Sequence, residues 1–266
     1  MNRRITVLAC LVTTSLLTFL TAAPAHAATS YADTDYVALG DSYSSGVGAP
    51  GTSGSCLRSA NGYPGQWAAA NNPKTFQNVA CSGATTTDVL NNQVSALDSG
   101  TDLVTITIGG NDVGFADVLT TCTISTYNGC AAAVQSARDK EDAVLVKLDT
   151  TYQTIRSRAP SAKVIVLAYP ILFDTTSSSC GVGGMSLAKR QLINDGDEEL
   201  NNLIRDHATA AGFVFADARV TFAGHGVCAS APWINGLTVV AAVNSFHPNL
   251  SGYTYGYLPA MTAALG

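Results

Sequence analysis

The chain has 266 residues, with 14 Lys and Arg against 19 Asp and Glu, for a formal net charge of −5. That balance, with no basic block, argues against nucleic acid or another polyanion as partner. The length suits one domain with a large buried core, and no internal repeat or long linker divides it.

Residues 1–27 read as a secretory signal. Arg3 and Arg4 supply the positive start, residues 5–20 are mostly apolar, and Ala25-His26-Ala27 is a small-x-small cleavage site. The apolar run is short and broken by Thr and Ser, which argues against a membrane anchor. Removal takes Lys and Arg from 14 to 12 and leaves the 19 acidic residues, so the mature charge is −7. The mature domain is expected to span 28–266 and to be secreted, extracellular and monomeric.

Cys10 leaves with the signal. Cys56, Cys81, Cys122, Cys130, Cys180 and Cys228 remain. An even count in an exported chain reads as disulfides, and six cysteines allow fifteen pairings. Sequential pairing (Cys56–Cys81, Cys122–Cys130, Cys180–Cys228) is the expectation, each bridge stabilising by about 2–4 kcal/mol. No C-x-x-C spacing occurs, which argues against a zinc or redox site.

The stretch from Tyr36 to Gly46, YVALGDSYSSG, is an apolar run ending abruptly at Gly40-Asp41-Ser42. It reads as a buried parallel strand that stops at a tight turn and presents Ser42. Residues 63–71 read as a short helix with Pro64 near its start. Residues 75–79 read as a second strand, ending at Ala80-Cys81-Ser82-Gly83. Residues 86–97 read as a helix capped by Thr87. The β-branched run over 103–108 is a buried strand ending at Gly109-Gly110-Asn111-Asp112.

The longest helical pattern covers 131–158. A fourth strand follows over 163–168, then a loop at 181–184 and a helix over 186–211. A fifth strand covers 213–215, and a closing helix covers 250–264. Strands alternating with helices predict a three-layer α/β/α sandwich around a mostly parallel five-stranded sheet.

In open α/β sheets, ligands bind at the carboxyl ends of strands. Ser42, Gly83 and Asn111 all sit at such ends. A serine nucleophile needs a base and donors for a developing oxyanion. Gly83 offers an uncovered backbone N–H, and Asn111 offers a side-chain amide. His207 reads as a surface helix residue, and His225 as a structural loop residue. His247, in the loop before the last helix, is the candidate base.

These four blocks resemble the SGNH hydrolases, also called the GDSL esterase/lipase family. The matches are Gly40-Asp41-Ser42, Gly83, Gly109-Gly110-Asn111-Asp112 and His247-Pro248. Tyr43 stands where Leu is usual. The resemblance is strongest to secreted actinobacterial lipases and phospholipases, which also carry three disulfides. It implies that Ser42 attacks an ester, with His247 as base and the amides of Ser42, Gly83 and Asn111 as oxyanion hole.

One position departs from the family pattern. The residue three before the histidine is Asn244 rather than the usual Asp. The resemblance then points to the main-chain carbonyl of Ser245 as the group that orients His247, giving a Ser–His dyad. Asp41 and Asp112 read as structural acceptors in the turns.

The implied substrate is a lipid or other carboxylic ester, with transient contact with a lipid interface and no cofactor or metal. A carbohydrate deacetylase and an inactive binding protein are the competing readings. Phe115 and Ile171-Leu172-Phe173 are candidates to line an acyl groove, with core packing as the default for each.

Overall fold

A computed structural model describes residues 30–180 and 185–266. The signal at 1–27 and the loop at 181–184 lie outside the described residues. Strands β1 (Asp35–Gly40), β2 (Thr75–Asn78), β3 (Leu103–Thr107), β4 (Lys163–Leu167) and β5 (Val214–Ala216) form one sheet. Its order is β2-β1-β3-β4-β5, and every neighbouring pair is parallel.

Burial explains the strand sequences. All five residues of β3 are buried, so its side chains are apolar or threonine on both faces. Thr105 is tolerated there because its hydroxyl pairs with the Tyr36 phenol at 2.8 Å. β2, at the sheet edge, alternates between exposed and half-buried positions.

The chain runs from β1 out to β2, then returns to place β3 on the other side of β1. That reversal opens a crevice at the carboxyl ends of β1 and β3.

Helices cover the sheet in two groups. Helices α2 (Tyr63–Asn71) and α10 (Leu258–Leu265) pack on each other and on β2, β4 and β5. Helices α3 (Thr86–Asp88), α7 (Glu141–Arg158) and α8 (Leu187–Ala210) form the other group. No helix among the described residues is long and apolar enough to cross a membrane.

Disulfides join Cys56 to Cys81, Cys122 to Cys130 and Cys180 to Cys228. The second ties α5 (Phe115–Ile124) to α6 (Tyr127–Arg138).

The helices differ from the sequence reading in several places, α5 being one that it did not assign. The long pattern over 131–158 is two helices, α6 and α7, separated at Asp139–Lys140. Val134 and Val144 are buried on either side, and no Gly or Pro marks the break, so periodicity runs straight through it. The segment read as one helix over 86–97 is α3, a π turn (Val89–Gln93) and a 3-10 turn (Val94–Ala96). Its cap is Thr85 rather than Thr87, with Thr85 and Asp88 bonded reciprocally in a capping box. The closing helix starts as a π turn over Gly252–Tyr257 before α10.

Candidate active site

β1 delivers Ser42 through a turn that only glycine can make. Gly40 has φ +120°, and a Cβ there would lie 2.4 Å from the Thr107 carbonyl oxygen. The buried Gln93 amide brackets this glycine. Its Oε1 accepts from the Gly40 N–H at 2.7 Å, and its Nε2 donates to the Gly40 carbonyl at 2.9 Å. Asp41 then caps a one-turn helix, α1 (Ser42–Ser45), by accepting from the Tyr43 N–H at 2.9 Å. Ser42 is therefore the first residue of that turn, and no hydrogen bond among the described residues uses its N–H.

The neighbouring strand ends close around it. Beyond β2, the Cys81 N–H donates to the Gly40 carbonyl at 3.0 Å, which ties this end to the Ser42 turn. Gly83 follows with φ +80°, and a Cβ there would meet nothing within 4 Å. Backbone conformation, not crowding, calls for glycine there.

Beyond β3, Asn111 lies in α4 (Gly110–Val113). Its Nδ2 donates one hydrogen to the Ala84 carbonyl at 3.0 Å, and the amide retains a second. Asp112 does structural work, accepting from the Thr86 N–H at 2.9 Å and the Thr86 hydroxyl at 2.6 Å.

Two buried tyrosines join these parts, and the sequence reading gave neither a role. The Tyr169 hydroxyl accepts from the Gly110 N–H at 3.0 Å and donates to Asp41 Oδ2 at 2.5 Å. It thus links the ends of β1, β3 and β4. Burial pushes the Asp41 carboxyl up to about 7, with the Tyr169 and Tyr43 hydrogen bonds opposing.

The Tyr43 hydroxyl donates to the Phe246 carbonyl at 2.7 Å, and its ring lies 5.2 Å from that of His247. Its position, where Leu is usual, was the available signal. Its partner 203 residues away was not visible.

His247 arrives on a separate loop. Phe246 has φ +61°, a left-handed conformation that costs a bulky residue energy and persists only where its surroundings hold it. The Phe246 N–H donates to the Asn235 carbonyl, and the Asn235 N–H donates to the His247 carbonyl, both at 2.9 Å.

The imidazole Nδ1 lies 3.0 Å from the Ser245 carbonyl, and Nε2 lies 2.7 Å from Ser42 Oγ. A carbonyl can only accept, so Nδ1 carries the proton. Nε2 is then the acceptor, and the Ser42 hydroxyl donates to it. Burial pushes the His247 pKa down from 6.5 to about 4, against the raising effect of the Ser245 and Val243 carbonyls. The ring is neutral at pH 7.

No hydrogen bond among the described residues joins the Asn244 side chain to His247. The other described histidines lie elsewhere. His207 pairs with Asp149 at 2.6 Å, and His225 stacks on Trp233 at 3.6 Å. No group of three or more His, Cys, Asp or Glu among the described residues is placed to hold a metal ion.

A cleft of about 520 Å³ opens at this point. Ser42, Gly83, Asn111 and His247 line it beside Phe115, Leu119, Ile124, Leu237, Val243 and Phe246. Leu172 and Phe173 are buried in the core instead, with the Phe173 ring 5.8 Å from that of Phe246.

The profile of the GDSL-like lipase/acylhydrolase family matches residues 38–255. The chain is 45% identical over 268 residues to a lipase of Streptomyces rimosus, covering 99% of each.

The chain belongs to the GDSL-like lipase/acylhydrolase family.

Two solved structures of such hydrolases resemble this one. The extracellular lipase of Streptomyces rimosus is 46% identical with TM-score 0.83, covering 87% of this chain and 99% of that one. Phospholipase A1 of Streptomyces albidoflavus NA297 is 42% identical with TM-score 0.85, covering 88% and 100%. This GDSL hydrolase is accordingly a carboxylic ester hydrolase.

Proposed function

We propose that this GDSL hydrolase is an exported esterase that cleaves acyl esters of lipids through a Ser42–His247 dyad. The observation that carries the dyad is the 2.7 Å contact of Ser42 Oγ with His247 Nε2.

In this reading Ser42 Oγ attacks the ester carbonyl while its proton moves to Nε2. Negative charge on the carbonyl oxygen is met by the N–H groups of Ser42 and Gly83 and by Asn111 Nδ2. The Ser245 carbonyl holds the imidazolium by a hydrogen bond from Nδ1. Collapse expels the alcohol, which takes the proton from Nε2 and leaves an acyl-serine. Water, deprotonated by His247, then releases the carboxylic acid and restores Ser42.

The apolar wall of Phe115, Leu119, Ile124, Leu237 and Val243 favours acyl chains longer than acetyl. Acylglycerols, phospholipid acyl esters and aryl or alkyl esters all fit this description. The relatives named lipase and phospholipase A1 support it. Export is supported by the signal pattern at 1–27 and by the extracellular lipase among the relatives.

The test joins a fluorophosphonate probe to a p-nitrophenyl ester series. The probe should label Ser42 in the folded protein and fail on Ser42→Ala. kcat/KM should rise from acetyl toward medium chains. An enzyme that accepts only acetyl would be a deacetylase, and an unlabelled folded protein would be a binding module.

A further inference from the structure

The rim of the cleft carries bare hydrocarbon. Val239 is 90% exposed and Val240 is 102% exposed, on the loop whose Leu237 and Val243 line the cleft. Ile124, at the end of α5, is 80% exposed and also lines the cleft. Scattered exposed apolar residues need no explanation, but a group at the mouth of an apolar cleft does.

Charge narrows the choice of partner. No Lys, Arg, Asp or Glu follows Arg219, and none lies between Asp117 and Arg138. Both segments that carry the exposed apolar residues are therefore uncharged. A polybasic site for anionic lipid is absent from these segments.

The loop's own hydrogen bonds present the valines outward. The Thr238 hydroxyl donates to the Ala241 carbonyl at 2.6 Å, bridging Val239 and Val240. The Thr238 N–H donates to the Ser245 hydroxyl at 2.9 Å. Polar groups at the base of the tip are thus satisfied within the protein, which lowers the cost of placing it against lipid.

We propose that Val239 and Val240 form the tip by which the enzyme docks on the surface of aggregated neutral or zwitterionic lipid. Ile124 adds a further exposed apolar side chain to the cleft lining. This rests on the lipid-ester reading above and adds how the substrate is delivered. An acyl chain passes from the aggregate into the cleft past Leu237 and Val243, without its apolar surface crossing water.

The test uses Val239→Ser with Val240→Ser. Neither side chain lines the cleft, and their exposure leaves little native packing to lose. Sedimentation with phosphatidylcholine vesicles, in a Ser42→Ala background so that no lipid is consumed, reads docking alone. The double variant should bind about tenfold more weakly, because two apolar side chains no longer leave water. Binding of the unsubstituted tip should change by less than about twofold between about 0.1 M and about 0.5 M salt.

With Ser42 present, turnover of monomeric p-nitrophenyl butyrate should stay within about twofold, while phosphatidylcholine turnover falls in step with docking. Undiminished vesicle binding, a steep salt dependence, or an equal loss on both substrates would overturn the proposal. Intact docking with no lipid turnover by the wild-type protein would instead sink the lipid-ester reading.

Discussion

The two halves of the proposed dyad are held by different kinds of structure. Ser42 follows an interior strand of the sheet, and the two residues before it are clamped, Gly40 by Gln93 and Cys81 and Asp41 by Tyr169. His247 sits on an irregular loop, behind a left-handed Phe246, and is held by the Ser245 carbonyl and the Asn235 backbone. Besides the Ser42–His247 hydrogen bond itself, Tyr43 ties the two together, adjacent to Ser42 in sequence and bonded to the residue before His247. A parallel sheet can aim a nucleophile with little freedom, whereas the base depends on a few specific hydrogen bonds.

Breaking the sheet side should cost most. Asn111→Ala removes a proposed oxyanion donor and the bond to the Ala84 carbonyl. kcat should fall by about 10²–10³ with a smaller change in KM, read by steady-state kinetics on a monomeric ester.

Breaking the link should cost less. Tyr43→Phe keeps the buried ring but frees the Phe246 carbonyl, so His247 loses alignment with Ser42. kcat should fall by about tenfold with KM unchanged. An equal loss in KM would mark Tyr43 as a substrate contact rather than a positioning residue.

The loop side also sets the pH response. As the proposed base, His247 can accept a proton only when neutral, and burial lowers its folded pKa to about 4. The acid limb of kcat/KM should therefore lie well below 6.5, with activity retained at about pH 5.5. For folding, the same group binds fewer protons in the native state than in the unfolded state between about 4 and 6.5. Its contribution to stability is complete above that window and is lost as pH falls toward 4. An acid limb at or above the ordinary imidazole value would contradict this.

The smallest effect belongs to Asn244→Ala. Its side chain does not bond the imidazole, so kcat should stay within about threefold of wild type. A collapse in kcat with the fold intact would show that Asn244, rather than the Ser245 carbonyl, orients the ring.

The sheet was readable because fully buried parallel strands are continuous apolar runs, as in residues 36–39 and 103–108. Helix boundaries were less so. The Asp139–Lys140 break carries no Gly or Pro, and Phe115–Ile124 is a helix despite Thr120, Thr121 and Thr123, whose β-branched side chains weaken helix propensity. Phe115 does line the cleft, whereas Leu172 and Phe173 lie in the core, because both kinds of position favour the same apolar residues.

What the sequence by itself determined was local. It placed glycine where Gly40 and Gly83 need positive φ, put Ser, Gly and Asn at the ends of strands, and left Asn in place of a carboxylate before His247. Tertiary structure alone decided which distant groups meet. The tie between Tyr43 and Phe246, the Tyr169 bridge from Gly110 to Asp41 and the Gln93 clamp are all hydrogen bonds. Such bonds depend on a few tenths of an ångström between atoms, and neither periodicity nor propensity carries that information.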